Sequence, residues 1–280
     1  MPVKYQFFFP PVDTGSSPNS DSDIDILCNW FYPATPVKVS SFGSLKHFRK
    51  SAKPAAAGNA TRCLGCPIEK ECPYSAKKGR SNFSVTRDDS LNFLRKKVYL
   101  DPVSHGDTGW PVNILVDGVP NTENVTEALE TGPYGMCVYE SANDVCDNQV
   151  VNMEFSNGST ASLTMVAFTS AICERQTRLH FSHGEIIGDM HTFTVSDFRK
   201  GTTKVHRPAS EGGGHGGGDR GLVSSFVEAV RTGRQEIMGT DVDEVLKSHL
   251  TVFAAETSRK NGVVVDCLAF EKEARRLAQG

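Results

Sequence analysis

Three closely spaced cysteines carry the most specific chemical signal in this sequence. Two residues separate Cys63 from Cys66, and five separate Cys66 from Cys72. Thiolates two residues apart can bind one tetrahedral Zn²⁺ from a single turn, and a third can join from a few residues further on. The spacing leaves the fourth ligand open among three candidates: His47, Cys137 and Cys146. Three reduced thiols on a loop are the alternative, and the common iron–sulfur spacings differ from this one.

A glycine-rich segment offers a second candidate chemistry. The pattern Gly212-x-Gly214-x-x-Gly217 formally fits the dinucleotide fingerprint, and a helix is predicted after it. However, residues 207–211 predict a loop rather than the buried strand that the fingerprint requires. Asp241 lies at the distance along the chain where the fingerprint has an acidic residue that binds the ribose. However, Asp241 falls at the start of a predicted helix. We therefore interpret this segment as a loop and expect no dinucleotide site in it.

Asp25 is a further candidate, on a short helix predicted over Asp23–Tyr32. An acid in the first turn interacts favourably with the helix dipole, so Asp25 is interpreted as structural or as lying at the edge of a cleft. No Gly-x-Ser-x-Gly nucleophile motif and no phosphate-binding Walker loop occurs in the sequence. Sequence spacing alone leaves a carboxylate-pair glycosidase open.

The elements that must position these residues follow a clear order. After a tail at 1–20 and the first helix come a strand at Val37–Leu45 and a long polar insert at 46–95 that contains the cysteines. The turn signal Asn157-Gly158 separates two alternating stretches and predicts a β-hairpin. Further strands are predicted at Thr177–Phe181, Thr192–Phe198, Thr203–His206 and Val263–Val265, and helices at Asp219–Thr232, Thr240–Lys260 and Phe270–Leu277. Strands followed by helices predict an α+β fold, with one large, mostly antiparallel sheet and helices packed on one face.

Composition excludes several classes of protein. Of the 280 residues, 38% are hydrophobic and 22% charged, with a formal net charge of −3. No basic stripe indicates a nucleic-acid partner, and no apolar run approaches the roughly 20 residues of a membrane helix. The beginning of the chain lacks the pattern of a signal peptide, so we expect a cytoplasmic protein.

Taken together, the motifs resemble a known family. The order and spacing of seven stretches are similar to the C-terminal part of Gfo/Idh/MocA oxidoreductases, in the fungal and bacterial branch with a cysteine-rich insert. The resemblance covers about residues 21–275 and is carried by 23–30, 39–49, 63–75, 132–155, 183–189, 215–230 and 240–266.

The resemblance implies a fold and an activity. Members of this family pair an N-terminal Rossmann domain with a C-terminal antiparallel sheet domain, and they oxidise or reduce sugars and polyols with NAD(P). Their sheet commonly forms a dimer or tetramer surface, which implies a homo-oligomer here. The glycine loop would line the substrate cleft, so that His215 and Asp219, with Asp25 at the edge, would contact a sugar or polyol. Asp219 is alternatively a helix-capping residue.

Two departures from the family pattern limit this expectation. Only about 20 residues precede Asp23, where the family has its Rossmann domain, and Ser22 and Pro18 occupy the positions of the family's catalytic His and Asp. We therefore expect no catalytic residue and no NAD(P) binding in this chain, which would be a truncated gene product. A noncatalytic paralogue that acts in oligomerisation, with or without zinc, is the alternative.

Overall fold

A computed structural model describes residues 18–77, 99–109, 111–169, 175–189, 191–209 and 217–279. The chain divides into two compact units. The first comprises Met1–Ser170 and Leu246–Gly280, and the second Ala171–Val245. Within the described ranges, no helix has the combined length and hydropathy that a bilayer span requires.

The first unit is built on a four-stranded antiparallel sheet with the strand order β3-β2-β1-β8. Its strands are β1 (Pro36–Ser44), β2 (Asn148–Phe155), β3 (Thr160–Val166) and β8 (Val265–Asp266). The predicted hairpin is confirmed: Gly158, at φ 82°, turns the chain from β2 into β3, and Asn157 Oδ1 accepts a hydrogen bond from the Ser159 N–H.

One face of this sheet is buried under helices, as the predicted fold class requires. The helices are α1 (Pro18–Phe31), α5 (Val242–Asn261) and α6 (Cys267–Leu277). Val151, Met153 and Phe155 of β2 are 1–3% exposed and belong to one apolar cluster with residues of all three helices and of β1. Phe31 of α1 stacks on Phe155 with ring centroids 4.2 Å apart. At about 25 cal/mol per Å² of buried apolar surface, this cluster is a main source of the unit's stability.

A polar contact fixes α5 against β1 inside this core. The Ser41 N–H of β1 donates to Ser258 Oγ at 2.9 Å, and Ser258 Oγ in turn donates to the Val263 carbonyl at 2.5 Å. Gln149 Nε2 donates to Ser41 Oγ at 3.0 Å. The α5 helix ends just before Gly262, which has a φ of 67° and donates its N–H to the Ser258 carbonyl. At its start, Asp241 and Glu244 form a capping box, in which each backbone N–H donates to the side chain of the other residue.

Between β1 and β2 lies a long segment with its own apolar core. Its two helices, α2 (Leu100–Ser104) and α3 (Thr122–Thr131), have no counterpart in the sequence-based expectation. Val125 and Leu129 of α3 are fully buried, beside Tyr99, Val112 and Cys63. The part of the polar insert at 78–98 lies outside the described residues.

The second unit contains a separate antiparallel sheet with the order β4-β5-β6-β7. Its strands are β4 (Thr177–Phe181), β5 (Gly184–Gly188), β6 (Phe193–Asp197) and β7 (Thr202–His206), and the helix α4 (Gly218–Thr232) follows. Ala229 is the only buried residue among those described in this unit. The α+β class is thus confirmed, and the eight strands of the described residues are divided between two four-stranded sheets rather than joined in one.

Candidate functional site

The cysteine loop consists of a run of tight turns. The Cys66 N–H donates to the Cys63 carbonyl at 3.3 Å, which closes a reverse turn over Leu64 and Gly65. Further along, the Cys72 N–H donates to the Ile68 carbonyl at 2.9 Å. These turns bring the backbones of three thiol-bearing residues into one short segment. None of the seven cysteines in the described part of the chain forms a disulfide.

A second segment lies antiparallel to the start of this loop. Arg62 and Met136 form an isolated β-bridge. On either side of it, the Cys63 N–H donates to the Gly135 carbonyl at 2.9 Å, and the Cys137 N–H donates to the Thr61 carbonyl at 2.8 Å. Since successive side chains point to opposite sides of an extended strand, Cys63 and Cys137 project to the same side, away from Arg62 and Met136.

The thiols are close enough to affect one another electrostatically. Burial raises the pKa of Cys137, and the neighbouring Cys63 and Cys66 raise it further, while a backbone hydrogen bond from Tyr139 and the charge of Lys53 oppose the rise. Burial likewise raises the pKa of Tyr139 to about 12, with contributions from Tyr74, Cys72 and Cys137. Cys63 and Cys66 thus act on Cys137, while Cys72 and Cys137 act on Tyr139.

A histidine–tyrosine cluster, composed of His47, Tyr74 and Tyr139, borders the thiols. His47 Nε2 lies 3.0 Å from the Tyr74 hydroxyl and 3.2 Å from the Tyr139 hydroxyl. Phe48, fully buried, packs edge-on against the rings of His47 and Tyr74. With a pKa raised to about 12, the Tyr139 phenol stays protonated near neutral pH, so it serves as a hydrogen-bonding group rather than as a base.

A buried carboxylate fixes the backbone of this region. Asp147 is 0% exposed, and its Oδ2 accepts hydrogen bonds from the N–H groups of Lys46, His47 and Phe48. Burial by itself would raise the pKa of Asp147, but these N–H groups and the Asn148 side chain outweigh it and lower the pKa below the usual value. A carboxylate with several amide donors is strongly held in its charged form.

A nearly buried ion pair lies next to the same loop. Lys53 Nζ is 2.7 Å from both Glu140 Oε1 and the Ala60 carbonyl, and its side chain is 7% exposed. The hydrogen bond from Lys53 is the main reason that the pKa of Glu140 is lowered. This cation also lies close enough to Cys137 to act on its thiol.

The predicted substrate-binding residues belong to different parts of the chain, and each is described within its own unit. Asp25 is half-buried on α1 in the first unit, where its charge contributes to the raised pKa of Cys28, second to burial. Asp219 is exposed in the first turn of α4 in the second unit, and the N-cap position is Gly217 rather than Asp219. His215 lies outside the described residues.

The remaining described cysteines belong to other surroundings. Cys28 and Cys267 lie in the apolar core, where burial raises their pKa values to about 12 and about 11. Cys146 is buried beside Arg259 and Glu256. These environments favour the protonated thiol, so none of the three is suited to bind a metal or act as a nucleophile.

Two cavities lie in the described part of the first unit. One of about 210 Å³ is lined by residues of α5 and α6 and by Thr35 and Pro36, below the roughly 300–1,000 Å³ of typical ligand pockets. A larger, open depression of about 430 Å³ lies along α6. Asp25 lines neither of them.

As the side chains stand in the described ranges, no group of three or more His, Cys, Asp or Glu residues could hold a metal ion. The zinc site predicted at Cys63, Cys66 and Cys72 therefore remains a prediction, since the described side chains do not form it. Sequence reasoning missed Tyr74, Tyr139 and Asp147, since aromatic and acidic residues without a spacing rule give no local signal. The structure finds them because three distant segments meet at His47.

Several solved structures of oxidoreductases are similar to this chain. An oxidoreductase from Pseudomonas syringae is similar at 13% identity and a TM-score of 0.38, over 45% of this chain and 42% of that one. A comparison with protein-family models gave no match, and a comparison with curated proteins gave none either.

Two further similar structures are complexes with bound ligands. The inositol dehydrogenase homologue from Azotobacter vinelandii, complexed with NADH and myo-inositol, is 14% identical, with a TM-score of 0.37 over 45% of this chain and 40% of that one. The scyllo-inositol dehydrogenase from Lactobacillus casei, with bound NAD(H) and scyllo-inositol, is 10% identical, with a TM-score of 0.34 over 89% of this chain and 47% of that one. This chain thus spans less than half the length of each of these three structures.

Proposed function

We propose that this chain is the substrate-side domain of an NAD(P)-dependent sugar or polyol oxidoreductase. The supporting observation is that the motifs which resemble the Gfo/Idh/MocA C-terminal part lie, in their expected order, on an α+β fold whose described strand pairs are all antiparallel. A dinucleotide-binding fold requires parallel strands joined by helices. The described part of the chain therefore does not fit NAD(P), and we assign it no step of hydride transfer.

The proposed role is to bind and orient a polyol. Carboxylates accept hydrogen bonds from sugar hydroxyls, so Asp25 and Asp219 are suited to contact the substrate, and His215 can donate or accept. Ser22 stands where the resemblance places a catalytic histidine, and a serine is not a proton acceptor near neutral pH without an activating base. Binding and orientation, rather than proton transfer, are the contributions we assign to these residues.

Two binding experiments test whether the chain binds a polyol but not NAD(P). We expect the chain alone to give no saturable heat with NADH or NADPH in isothermal titration calorimetry. We also expect saturation-transfer NMR to detect myo-inositol contact that is weakened by Asp25→Asn and by Asp219→Asn. Asp117→Asn, at an exposed loop position, is the matched control. Saturable binding of NADH or NADPH would contradict the proposed function. A myo-inositol signal unaffected by both Asp25→Asn and Asp219→Asn would refute the assigned contacts.

A second function, oligomerisation through the sheet of the second unit, has a specific observation in its favour. The strand register places Leu179, Ile186 and Val195 side by side on one face, with Phe193 and Phe181 two positions away on either side. All five are at least partly exposed, and Phe181 reaches 57%. An apolar sheet face of this kind is normally covered by another surface. The resemblance indicates a second copy of the chain.

Adjacent positions on β6 provide a matched pair of variants. Val195 lies on the apolar face, whereas Thr194 lies on the opposite face beside Ile187 and Val205. We expect the chain to be at least dimeric by light scattering coupled to size exclusion, Val195→Glu to shift it towards monomer, and Thr194→Glu to leave it unchanged. A monomeric wild-type chain at micromolar concentration would exclude this role.

A further inference from the structure

One reverse turn holds Cys63 and Cys66 close together. The Cys66 N–H donates to the Cys63 carbonyl at 3.3 Å, so these two residues are the first and the last of the turn. The Cα atoms at these two positions lie less than about 7 Å apart, and a disulfide bond requires a Cα separation of about 4.4–6.8 Å. The backbone of the reduced chain therefore already holds the two residues at a separation that a disulfide can span.

The other cysteines near this loop are poorer partners by their backbone geometry. Cys63 and Cys137 are diagonal neighbours on one side of the isolated β-bridge. Diagonal neighbours lie about 7–8 Å apart with their Cβ atoms somewhat closer, whereas the Cβ atoms of a disulfide are about 3.5–4.5 Å apart. Cys72 belongs to a separate turn, in which its N–H donates to the Ile68 carbonyl. The backbone thus favours the pairing of Cys63 with Cys66.

The two residues of this pair differ in their exposure to solvent. Cys63 is 8% exposed and lies in an apolar cluster with Val125. Cys66 is partly exposed, and the residues on both sides of it, Gly65 and Pro67, are exposed. A Cβ at Gly65 would meet nothing within 4 Å, so there is open space beside Cys66. A small-molecule disulfide can therefore approach Cys66, while Cys63 is reached only from within the turn.

We propose that Cys66 and Cys63 form a reversible disulfide by thiol–disulfide exchange with a small-molecule disulfide of the glutathione type. The Cys66 thiolate attacks one sulfur of glutathione disulfide, so that a Cys66–glutathione bond forms, the S–S bond of the oxidant breaks and one glutathione leaves. The Cys63 thiolate then attacks the Cys66 sulfur and displaces the second glutathione. The two protons lost by the cysteines are taken up by the two glutathione thiolates, so one disulfide is reduced for each one formed.

The shortness of the ring indicates a redox site rather than a structural crosslink. A disulfide stabilises a protein mainly by restricting the unfolded chain, and a ring that spans a single turn restricts it least. Oxidation also leaves the backbone contacts of the turn and of the bridge to Gly135 in place, since these are made by N–H and carbonyl groups. The two forms can therefore interconvert without unfolding of the loop. This inference is independent of the polyol-binding function.

The sequence allows the disulfide to be read directly from one peptide. Trypsin cleaves after Arg62 and after Lys70, so residues 63–70 are released as a peptide that contains Cys63 and Cys66 and no other cysteine. The whole chain, reduced in the presence of a chelator so that no metal protects the thiols, is incubated with glutathione disulfide, quenched with N-ethylmaleimide and digested. We expect this peptide to lose both N-ethylmaleimide groups and two hydrogens, and dithiothreitol to restore both labels.

Single variants separate the roles of the two thiols. Cys63→Ser should stop the reaction at a stable Cys66–glutathione adduct. Cys66→Ser should leave Cys63 free of glutathione and fully alkylated. Cys72→Ser, the matched control in the neighbouring turn, should form the disulfide as the wild type does. Glutathione on Cys63 in the Cys66→Ser variant would refute the assigned roles.

The time course of the wild-type chain needs no variant and so remains informative if Cys63→Ser fails to fold. We expect a glutathione adduct on Cys66 to appear first and then to decay as the disulfide forms within residues 63–70. A peptide that stays fully alkylated in excess glutathione disulfide would overturn the proposal. A crosslink from either cysteine to Cys72 or Cys137 would equally overturn it, because the turn geometry would then not determine the pairing.

Discussion

Replacement of Asp147 by asparagine should remove a large part of the stability of the first unit. The Asp147 carboxylate is fully buried and accepts three backbone N–H groups on one oxygen, and the Asn148 side chain donates to the other at 2.8 Å. Hydrogen bonds to a charged group contribute about 1.5–3 kcal/mol each, roughly twice the neutral value. Asparagine keeps one acceptor oxygen, but it turns an NH₂ group towards the donor of Asn148.

The expected loss for Asp147→Asn is therefore about 2–4 kcal/mol in the free energy of unfolding, after allowance for the relieved desolvation of the charge. Urea unfolding followed by far-UV circular dichroism measures it. Asp117→Asn, at an exposed position, should change the free energy by no more than about 0.5 kcal/mol.

The pH dependence of this difference follows from the lowered pKa of Asp147. A carboxyl group whose pKa is lower in the folded than in the unfolded state stabilises the protein fully above its unfolded value of about 3.9. That contribution is lost as the pH falls towards the folded value. The difference in the free energy of unfolding between wild type and Asp147→Asn should thus be constant from about pH 7 to pH 5 and should become smaller below about pH 4. A gap under 0.5 kcal/mol at pH 7, or one that does not narrow, would refute this reasoning.

Two further substitutions test the packing of the first unit. Ser258→Ala leaves the buried Ser41 N–H of β1 without its acceptor and should lower the free energy of unfolding by about 1–3 kcal/mol. Thr257→Ala removes an exposed hydroxyl bonded within its own helix and should lower it much less. Equal losses in urea unfolding would argue against the contact between Ser41 and Ser258. A Cβ at Gly135 would lie 1.6 Å from the Leu129 carbonyl oxygen, so Gly135→Ala should lower the melting temperature by several degrees. The control is Gly221→Ala on α4, where a Cβ meets nothing within 4 Å; it should be neutral or stabilising by up to about 1 kcal/mol. If Gly135→Ala were as stable as the wild type, the close contact between Gly135 and Leu129 would not constrain the backbone.

Elements with a local signal were predictable from the sequence. The hairpin between β2 and β3 follows from Asn157-Gly158 between two alternating stretches, and the predicted bounds of β4 match the structure residue for residue. The observed start of α5 at Val242 lies two residues after the predicted start at Thr240, because Asp241 and Glu244 form the reciprocal cap. In these cases, the nearest few residues determine the backbone.

The missed strand β5 shows where such reasoning fails. Gly184 and Gly188 bound it and are typical of breaks in a strand, yet a Cβ at Gly184 would lie 2.4 Å from the Ser196 carbonyl oxygen, and one at Gly188 would lie 2.7 Å from Phe193 Cβ. These glycines allow the neighbouring strand to approach closely. That requirement belongs to the paired strands and is invisible in either strand alone.

Helix α4 shows a different limit. The sequence places five apolar residues at helical spacing on it, but they are 57–68% exposed in the structure: Leu222, Val223, Phe226, Val227 and Val230. Hydrophobic periodicity predicts that a helix face will be covered, and it does not identify the covering surface. Together with the apolar face of the neighbouring sheet, this stripe gives the second unit far more exposed than buried apolar surface.

The two units differ in how their apolar surface is covered. The first unit buries an apolar core under its sheet, and where irregular chain lies beside that core the structure supplies the Asp147 carboxylate and the Lys53–Glu140 pair. The second unit buries almost nothing in its described residues. An exposed apolar sheet face is normally covered by another surface, which is why we propose that a second copy of the chain covers the β4–β7 sheet.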